Sequence, residues 1–262
     1  MKRHLKVIAN IFLTSIALSI LLGSFLRILG PINQSHRINK GINITGKSRR
    51  SVKKELQTRK SNLLSLYNDK LENFERLEKL INKWENHIIK NPGLDVSAFF
   101  ISLDDQVYAE IKSDIKLSAA SSIKVPILII LLRMLEKEEI IWNEKLILSE
   151  DVIGGGSGWM AYQKIGEIFP VYEVASEMIR VSDNTATNLL IKRLGGLKIV
   201  NQKFKEIGLN NTQVNNYLPD LDGTNLTSTN DLSLAMALVD NGYLLNVSSR
   251  DIFREIMRKS KT

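Results

Sequence analysis

Two short segments of the chain hold residue types that do chemistry when they stand together. In Ser118-Ala119-Ala120-Ser121-Ser122-Ile123-Lys124-Val125-Pro126, Ser121 and Lys124 are three residues apart at the mouth of the apolar run Val125–Leu132. On a helix that spacing puts both on one face. A serine hydroxyl is a poor nucleophile until a neighbour accepts its proton, and a lysine does so once burial or nearby positive charge depresses its pKa. A helix N-terminus also offers amides near the place where an oxyanion forms. Alone the pattern is weak: Ser-x-x-Lys recurs at Ser51–Lys54 and Ser113–Lys116, and only the copy at Ser121 opens an apolar helix. Ser121 reads equally as an ordinary helix cap.

The second segment, Val181-Ser182-Asp183-Asn184-Thr185-Ala186-Thr187-Asn188, also opens a helix. Its serine can pass a proton to a leaving nitrogen, its asparagine can hold a substrate amide, and its aspartate can cap the turn. Other nucleophile and metal chemistries are poorly supplied. The chain has no cysteine, which removes disulfides, thiol catalysis and cysteine-ligated metals. His4, His36 and His87 are scattered, so neither a Ser-His-Asp triad nor a multi-histidine metal site is expected.

Ser-x-x-Lys followed about 60 residues later by Ser-Asp-Asn, with Gly154-Gly155-Gly156-Ser157-Gly158 between them, resembles the class A serine β-lactamases and the related penicillin-binding peptidases. The resemblance covers about residues 62–260. It implies Ser121 as the acylated nucleophile, Lys124 as its proton acceptor, Ser182 as a proton shuttle and Asn184 as a substrate-amide ligand. It implies an α+β fold of the β-lactamase/transpeptidase type, a helical subdomain with the N-terminal hairpin of an antiparallel sheet. The substrate class it implies is a β-lactam or a peptidoglycan D-alanyl peptide. That chemistry needs only side chains and water, so no metal or organic cofactor is implied.

Two departures bear on activity. The family's deacylating glutamate, in a Glu-x-x-Leu-Asn pattern, would fall in Asn216-Tyr217-Leu218-Pro219-Asp220-Leu221-Asp222. There Leu218 stands in the glutamate's place and Asp222 in the asparagine's. A leucine accepts no proton, and loss of a positioned base typically removes a factor of about 10²–10⁴, although Asp220 or Asp222 could substitute. The third family motif, Lys-Thr-Gly, does not occur. Lys259-Ser260-Lys261-Thr262 falls in register with a helix end, ahead of the strand that carries that motif. The expectation is a domain that stops short of the remaining sheet strands. An oxyanion donor from that strand would go with them, each such donor being worth about 10²–10³ in rate. The open sheet edge would invite a second chain to supply the missing strands. The function classes that remain are an impaired serine hydrolase, a non-catalytic penicillin-recognising or structural relic, and a helical membrane protein with fortuitous motifs.

The framework around these residues follows from periodicity. Apolar residues from Asn62 to Lys90 recur at helical spacing (Leu63, Tyr67, Leu71, Phe74, Ile81, Trp84, Ile88), and Asn91-Pro92-Gly93 stops that helix. Val96–Ile101 and Val107–Ile111 read as two strands of a hairpin turning at Asp104-Asp105. Val125–Leu132, apolar on every side, reads as a helix buried in the domain centre. Further helices are expected around Val171–Ile179, Asn184–Leu194, Ser228–Val239 and Arg250–Lys259.

Ahead of this body, residues 1–30 hold the 23-residue apolar run Val7–Leu29, long enough for a signal-anchor transmembrane helix. A cleaved signal peptide and a buried soluble helix are the alternatives. Residues 31–60 read as a basic flexible linker, with anionic-lipid or wall-polymer binding as the rival reading. The remaining residues, 61–262, form the incomplete domain. The net charge of +8 conceals a division: 13 Lys and Arg against one acid in residues 1–60, then 23 against 27 acids in the rest. A slightly acidic body gives nucleic-acid binding no support. Lys2, Arg3 and Lys6 before the apolar run and Arg37, Lys40, Lys47 and Arg49 after it leave orientation ambiguous, leaning to a cytoplasmic body. The implied substrates place the body outside the cytoplasm instead.

Overall fold

A computed structural model describes residues 73–261 of the chain. The apolar run Val7–Leu29, the basic linker and the first part of the periodic stretch beginning at Asn62 lie outside the described residues. In chain order come β1 (Glu75–Arg76), α1 (Glu78–Ile89), β2 (Ala98–Ser102), β3 (Val107–Ile111) and β4 (Leu117–Ser118). A 3₁₀ turn over Ala120–Ile123 runs directly into α2 (Lys124–Glu136). After it come β5 (Lys145–Ile147), β6 (Ile168–Pro170), α3 (Val171–Arg180), α4 (Asn184–Arg193), α5 (Gly196–Glu206), β7 (Leu226–Thr227), α6 (Thr229–Asp240) and α7 (Val247–Arg258).

Helix α2 is the centre of the body. Ile127, Leu128, Ile129, Ile130, Leu131 and Leu132 are all buried, as the all-round apolar pattern requires. Full burial of each such side chain contributes about 1.5–3 kcal/mol. Helices α3, α4, α5, α6 and α7 all pack on α2. Their starts are fixed by local chemistry: Asp183, Ser228 and Asn246 accept the backbone N–H three residues on, capping α4, α6 and α7. Helix α5 is not marked by the sequence pattern. Gly195 and Gly196, both at positive φ, form the joint behind α4, and only Val200 and Phe204 of α5 are buried, one turn apart.

The hairpin is present in the expected place, with Ala98 paired to Ile111 and Ser102 to Val107 in antiparallel register. Ser102 Oγ donates to Asp105 in its turn. The continuous helix expected from Asn62 to Lys90 is corrected: Glu75–Arg76 is a short strand parallel to β3, and the helix begins only at Glu78. Backbone pairing is the reason. Glu75 donates to the Gln106 carbonyl and Leu77 to the Tyr108 carbonyl, so these residues serve the sheet instead of a helix. The sheet thus has three strands, ordered β1-β3-β2, where the sequence pointed to two. Among the described residues, the far edge of β2 has no strand partner and no strand follows Thr227. Two smaller pairs, β4 with β7 and β5 with β6, complete the architecture. No helix among the described residues is long and apolar enough to cross a membrane.

Candidate active site

The 3₁₀ turn brings Ser121 to the head of α2, and Lys124, the first residue of that helix, projects from the next turn. Ser121 caps nothing: no side chain caps either the turn or α2, and it is Ser122 that bonds back, to the Ala119 carbonyl. The segment is held from behind by the pairing of Leu117–Ser118 with Leu226–Thr227 and by the Ala119 N–H donating to the Asn225 carbonyl.

Lys124 is 2% exposed. Its Nζ lies 2.5 Å from the Ser182 carbonyl, 2.8 Å from Ser182 Oγ, 2.9 Å from Asn184 Oδ1 and 3.5 Å from Ser121 Oγ. Ser182 Oγ stands 3.0 Å from Ser121 Oγ. The structure therefore brings all four sequence-predicted residues to one point. An ammonium has three N–H donors, and the three short contacts use them, leaving Ser121 as the long fourth. Burial holds the Lys124 pKa down at about 8, against the opposing pull of the Asp183 charge.

Ser182 and Asn184 come from the joint between α3 and α4. Asp183, fully buried, caps α4 through one carboxylate oxygen and accepts the Trp159 and Met160 N–H groups with the other. Asn184 is fixed at three points: its N–H donates to the Ser157 carbonyl, its Nδ2 to the Gly155 carbonyl, and its Oδ1 accepts from Lys124. The glycine-rich stretch is what allows this approach. A Cβ on Gly158, at φ +96°, would stand 2.1 Å from the Asp183 carboxylate, a position only glycine tolerates.

The other wall is the loop from Asn215 to Asn225. Asn188, one turn after Asn184 on α4 and 1% exposed, clamps its start by accepting the Leu218 N–H and donating to the Leu218 and Val152 carbonyls. Gly154 lies so close that a Cβ there would meet the Leu218 carbonyl at 2.2 Å. The Leu218 side chain is buried. Asp220 is engaged within the loop, one oxygen accepting from Thr224 Oγ1 and the other from the Asn225 N–H; burial pushes its carboxyl up, but these bonds, with the Thr224 N–H and Asn216, hold it below the ordinary value. Sequence reasoning missed Asn188, whose signal was an amide one turn beyond Asn184 in a run leading into Leu189-Leu190-Ile191. The competing Ser-x-x-Lys at Ser113–Lys116 is spent on structure, with Ser113 Oγ donating to Glu110. The copy at Ser51–Lys54 lies outside the described residues. Among those residues, no group of three or more His, Asp or Glu side chains is placed to hold a metal ion.

A helical body around one buried helix, beside a small sheet, with Ser-x-x-Lys and Ser-Asp-Asn facing each other, is a fold of the β-lactamase/transpeptidase type. A family model described as the Beta-lactamase enzyme family matches residues 76–262, and the chain belongs to that family. Among solved structures, PBP-A is 38% identical, with a TM-score of 0.71 over 72% of this chain and 71% of that one. An ancestral class A β-lactamase shares the fold at 18% identity and a TM-score of 0.62, over 70% of this chain and 72% of that one. Of curated proteins, β-lactamase BRO-1 of Moraxella catarrhalis is 29% identical over 60% of this chain and 48% of its own length. β-lactamase ROB-1 of Haemophilus influenzae is 35% identical over 31% of this chain and 27% of its own. The chain thus spans about half, or less, of the curated relatives it matches.

Proposed function

We propose that this chain is a penicillin-reactive acyl-serine protein in which acylation is supported and hydrolysis of the acyl-enzyme is not. The observation that carries this reading is the Ser121–Ser182–Lys124 chain of contacts, at 3.0 and 2.8 Å, around an amine whose pKa is about 8. At pH 7 roughly one such amine in ten is neutral. A neutral amine has two N–H groups and a lone pair, which faces Ser121 once one of the short contacts is released. Lys124 then takes the Ser121 proton while Ser121 Oγ bonds to the carbonyl carbon of a β-lactam or D-alanyl amide. The C–N bond breaks, and the proton passes through Ser182 to the leaving nitrogen. Asn184 Nδ2 is offered to the substrate amide in exchange for the Gly155 carbonyl.

Release of the acyl group needs a water activated by a base. Leu218 occupies the place of the family's glutamate, and Asp220 is tied within its own loop. Asp222 is left as the remaining carboxylate there, with no role assigned to it. The acyl-enzyme complex of a leucine-to-glutamate variant of PBP-A with penicillin G, whose chain is 37% identical to this one, supports a penicillin as the probe. The test is incubation of the full chain with a fluorescent penicillin, beside Ser121→Ala. Stable labelling that the variant loses supports the reading. Absence of labelling leaves a non-catalytic penicillin-recognising or structural relic, and rapid turnover of a chromogenic cephalosporin contradicts the blocked second step.

The domain boundaries at 30 and 60, the signal-anchor role of Val7–Leu29 and an extracytoplasmic body belong to the same proposal, supported by the apolar run and by where such substrates lie. So does a strand from outside the described residues, or from a second chain, on the open edge of β2. That edge is apolar from Ala98 to Ile101, and Phe100 is exposed.

A further inference from the structure

Of the four residues in the constellation, Ser182 alone lies in neither a helix nor a helical turn. It sits in the joint between α3 and α4 at φ +55°, a left-handed conformation that a serine keeps only when its surroundings impose it. Those surroundings are visible one turn back on α3. Glu177 is 8% exposed, and its backbone carbonyl accepts the N–H groups of Val181 and Asp183, the residues on either side of Ser182. Its carboxylate accepts two bonds from Arg180, at 2.6 and 2.7 Å, and one from Trp159 Nε1 at 2.6 Å. Trp159 in turn gives its backbone N–H to the Asp183 carboxylate at 2.7 Å and packs edge-on against Phe169. The glycine-rich segment, the end of α3 and the cap of α4 are thereby closed into one ring around the joint.

A half-buried ion pair such as Glu177–Arg180 adds little net stability, because desolvation and solvent screening offset most of its attraction. What this one supplies is a fixed geometry, and the group whose geometry it fixes is Ser182. We propose that Glu177 and Trp159 are positioning residues that aim the Ser182 hydroxyl between Ser121 and Lys124. The proposal rests on the acyl-serine reading for its kinetic consequence, but the arrangement itself does not depend on it.

The test uses the full chain with Trp159→Phe and Glu177→Gln, each made in the wild type and in Ser182→Ala, and measures the rate of acylation by a fluorescent penicillin. Misplacing a reacting group by about 1 Å costs up to about 100-fold, so each variant is expected to slow acylation about 10- to 100-fold when Ser182 is present. In the Ser182→Ala background the same change should alter the rate less than about twofold, because nothing remains to be aimed. Equal losses in both backgrounds overturn the proposal. Trp159→Phe keeps the aromatic packing and carries the test if Glu177→Gln does not fold. Where the wild type takes no label, the acyl-serine reading fails by itself and titration of the Lys124 side chain by carbon-13 NMR judges the network. Loosening Ser182 admits water to the amine, so both variants should raise the midpoint from about 8 towards the ordinary lysine value. A midpoint unmoved, as expected for the distant control Glu255→Gln, overturns the proposal.

Discussion

The two walls of the site differ in what they hold ready. On the α2 and α4 side, the exposed Ser121 and half-buried Ser182 meet the buried Lys124 and Asn184, and every strong donor of Lys124 is engaged. On the loop side, the chain uses equally careful hydrogen bonding to hold a backbone, that of Leu218, whose side chain has no proton to give or take. The same helix serves both: Asn184 faces the lysine and Asn188, one turn on, faces the loop. Preorganisation and reactivity are therefore separable. Here the loop backbone is held accurately by Asn188 while the residue it presents, Leu218, has no acid or base group.

This contrast can be broken at either wall. Ser121→Ala is expected to abolish covalent labelling by a fluorescent penicillin, a loss of about 10³-fold or more. Labelling at another residue would show that the α2 wall is not the reactive one. Lys124→Met should slow labelling by about 10²–10⁴ while Ser121 remains in place, read as the rate at saturating penicillin. Leu218→Glu supplies the loop wall with a base and should speed release of the bound label about 10²-fold, measured by recovery of free Ser121 after a chase. A variant that labels normally but releases no faster would show that position 218 is not within reach of the ester. The rate of labelling should rise about tenfold between pH 7 and pH 9 and then level. In the proposed reaction the active form is the neutral Lys124 amine, which appears as pH rises through about 8. Finally, Asn188→Ala leaves the Leu218 N–H and two carbonyls without their partner. It should cost about 1–3 kcal/mol of stability, read as a lowered Tm, with the rate of labelling less affected than in the Lys124 variant.

Much of the first wall was legible in the sequence because it is local. Ser121 and Lys124 share one turn, and Asp183 caps the helix it precedes. The apolar run behind Lys124 could only be a central helix. The hairpin was legible for the same reason, its alternation and turn lying within 16 consecutive residues from Val96 to Ile111. What stayed hidden depends on partners distant in the chain. Nothing in Glu75–Arg76 announces pairing with a strand some 30 residues later, and the helical periodicity around it ran the other way. The bond between Trp159 and Glu177, and the use of Asn188 as a clamp, arise only when α3, α4 and the glycine-rich segment have come together. The 3₁₀ turn under Ser121 was hidden too: Ser-Ser before an apolar run signals a cap, and only the fold turns that hydroxyl towards Ser182.

The engagement of Asp220 bears on how the proposed acyl group could be released. The acid two residues from Leu218 is a fastener, gripping Thr224 and Asn225 at the loop's far end, and Asn225 in turn holds the strip that carries Ser121. Swinging it round to activate water would unhook the very support on which Ser121 rests. Asp222 apart, a carboxylate for that task must come by replacement at another position, because borrowing Asp220 dismantles the frame it would serve.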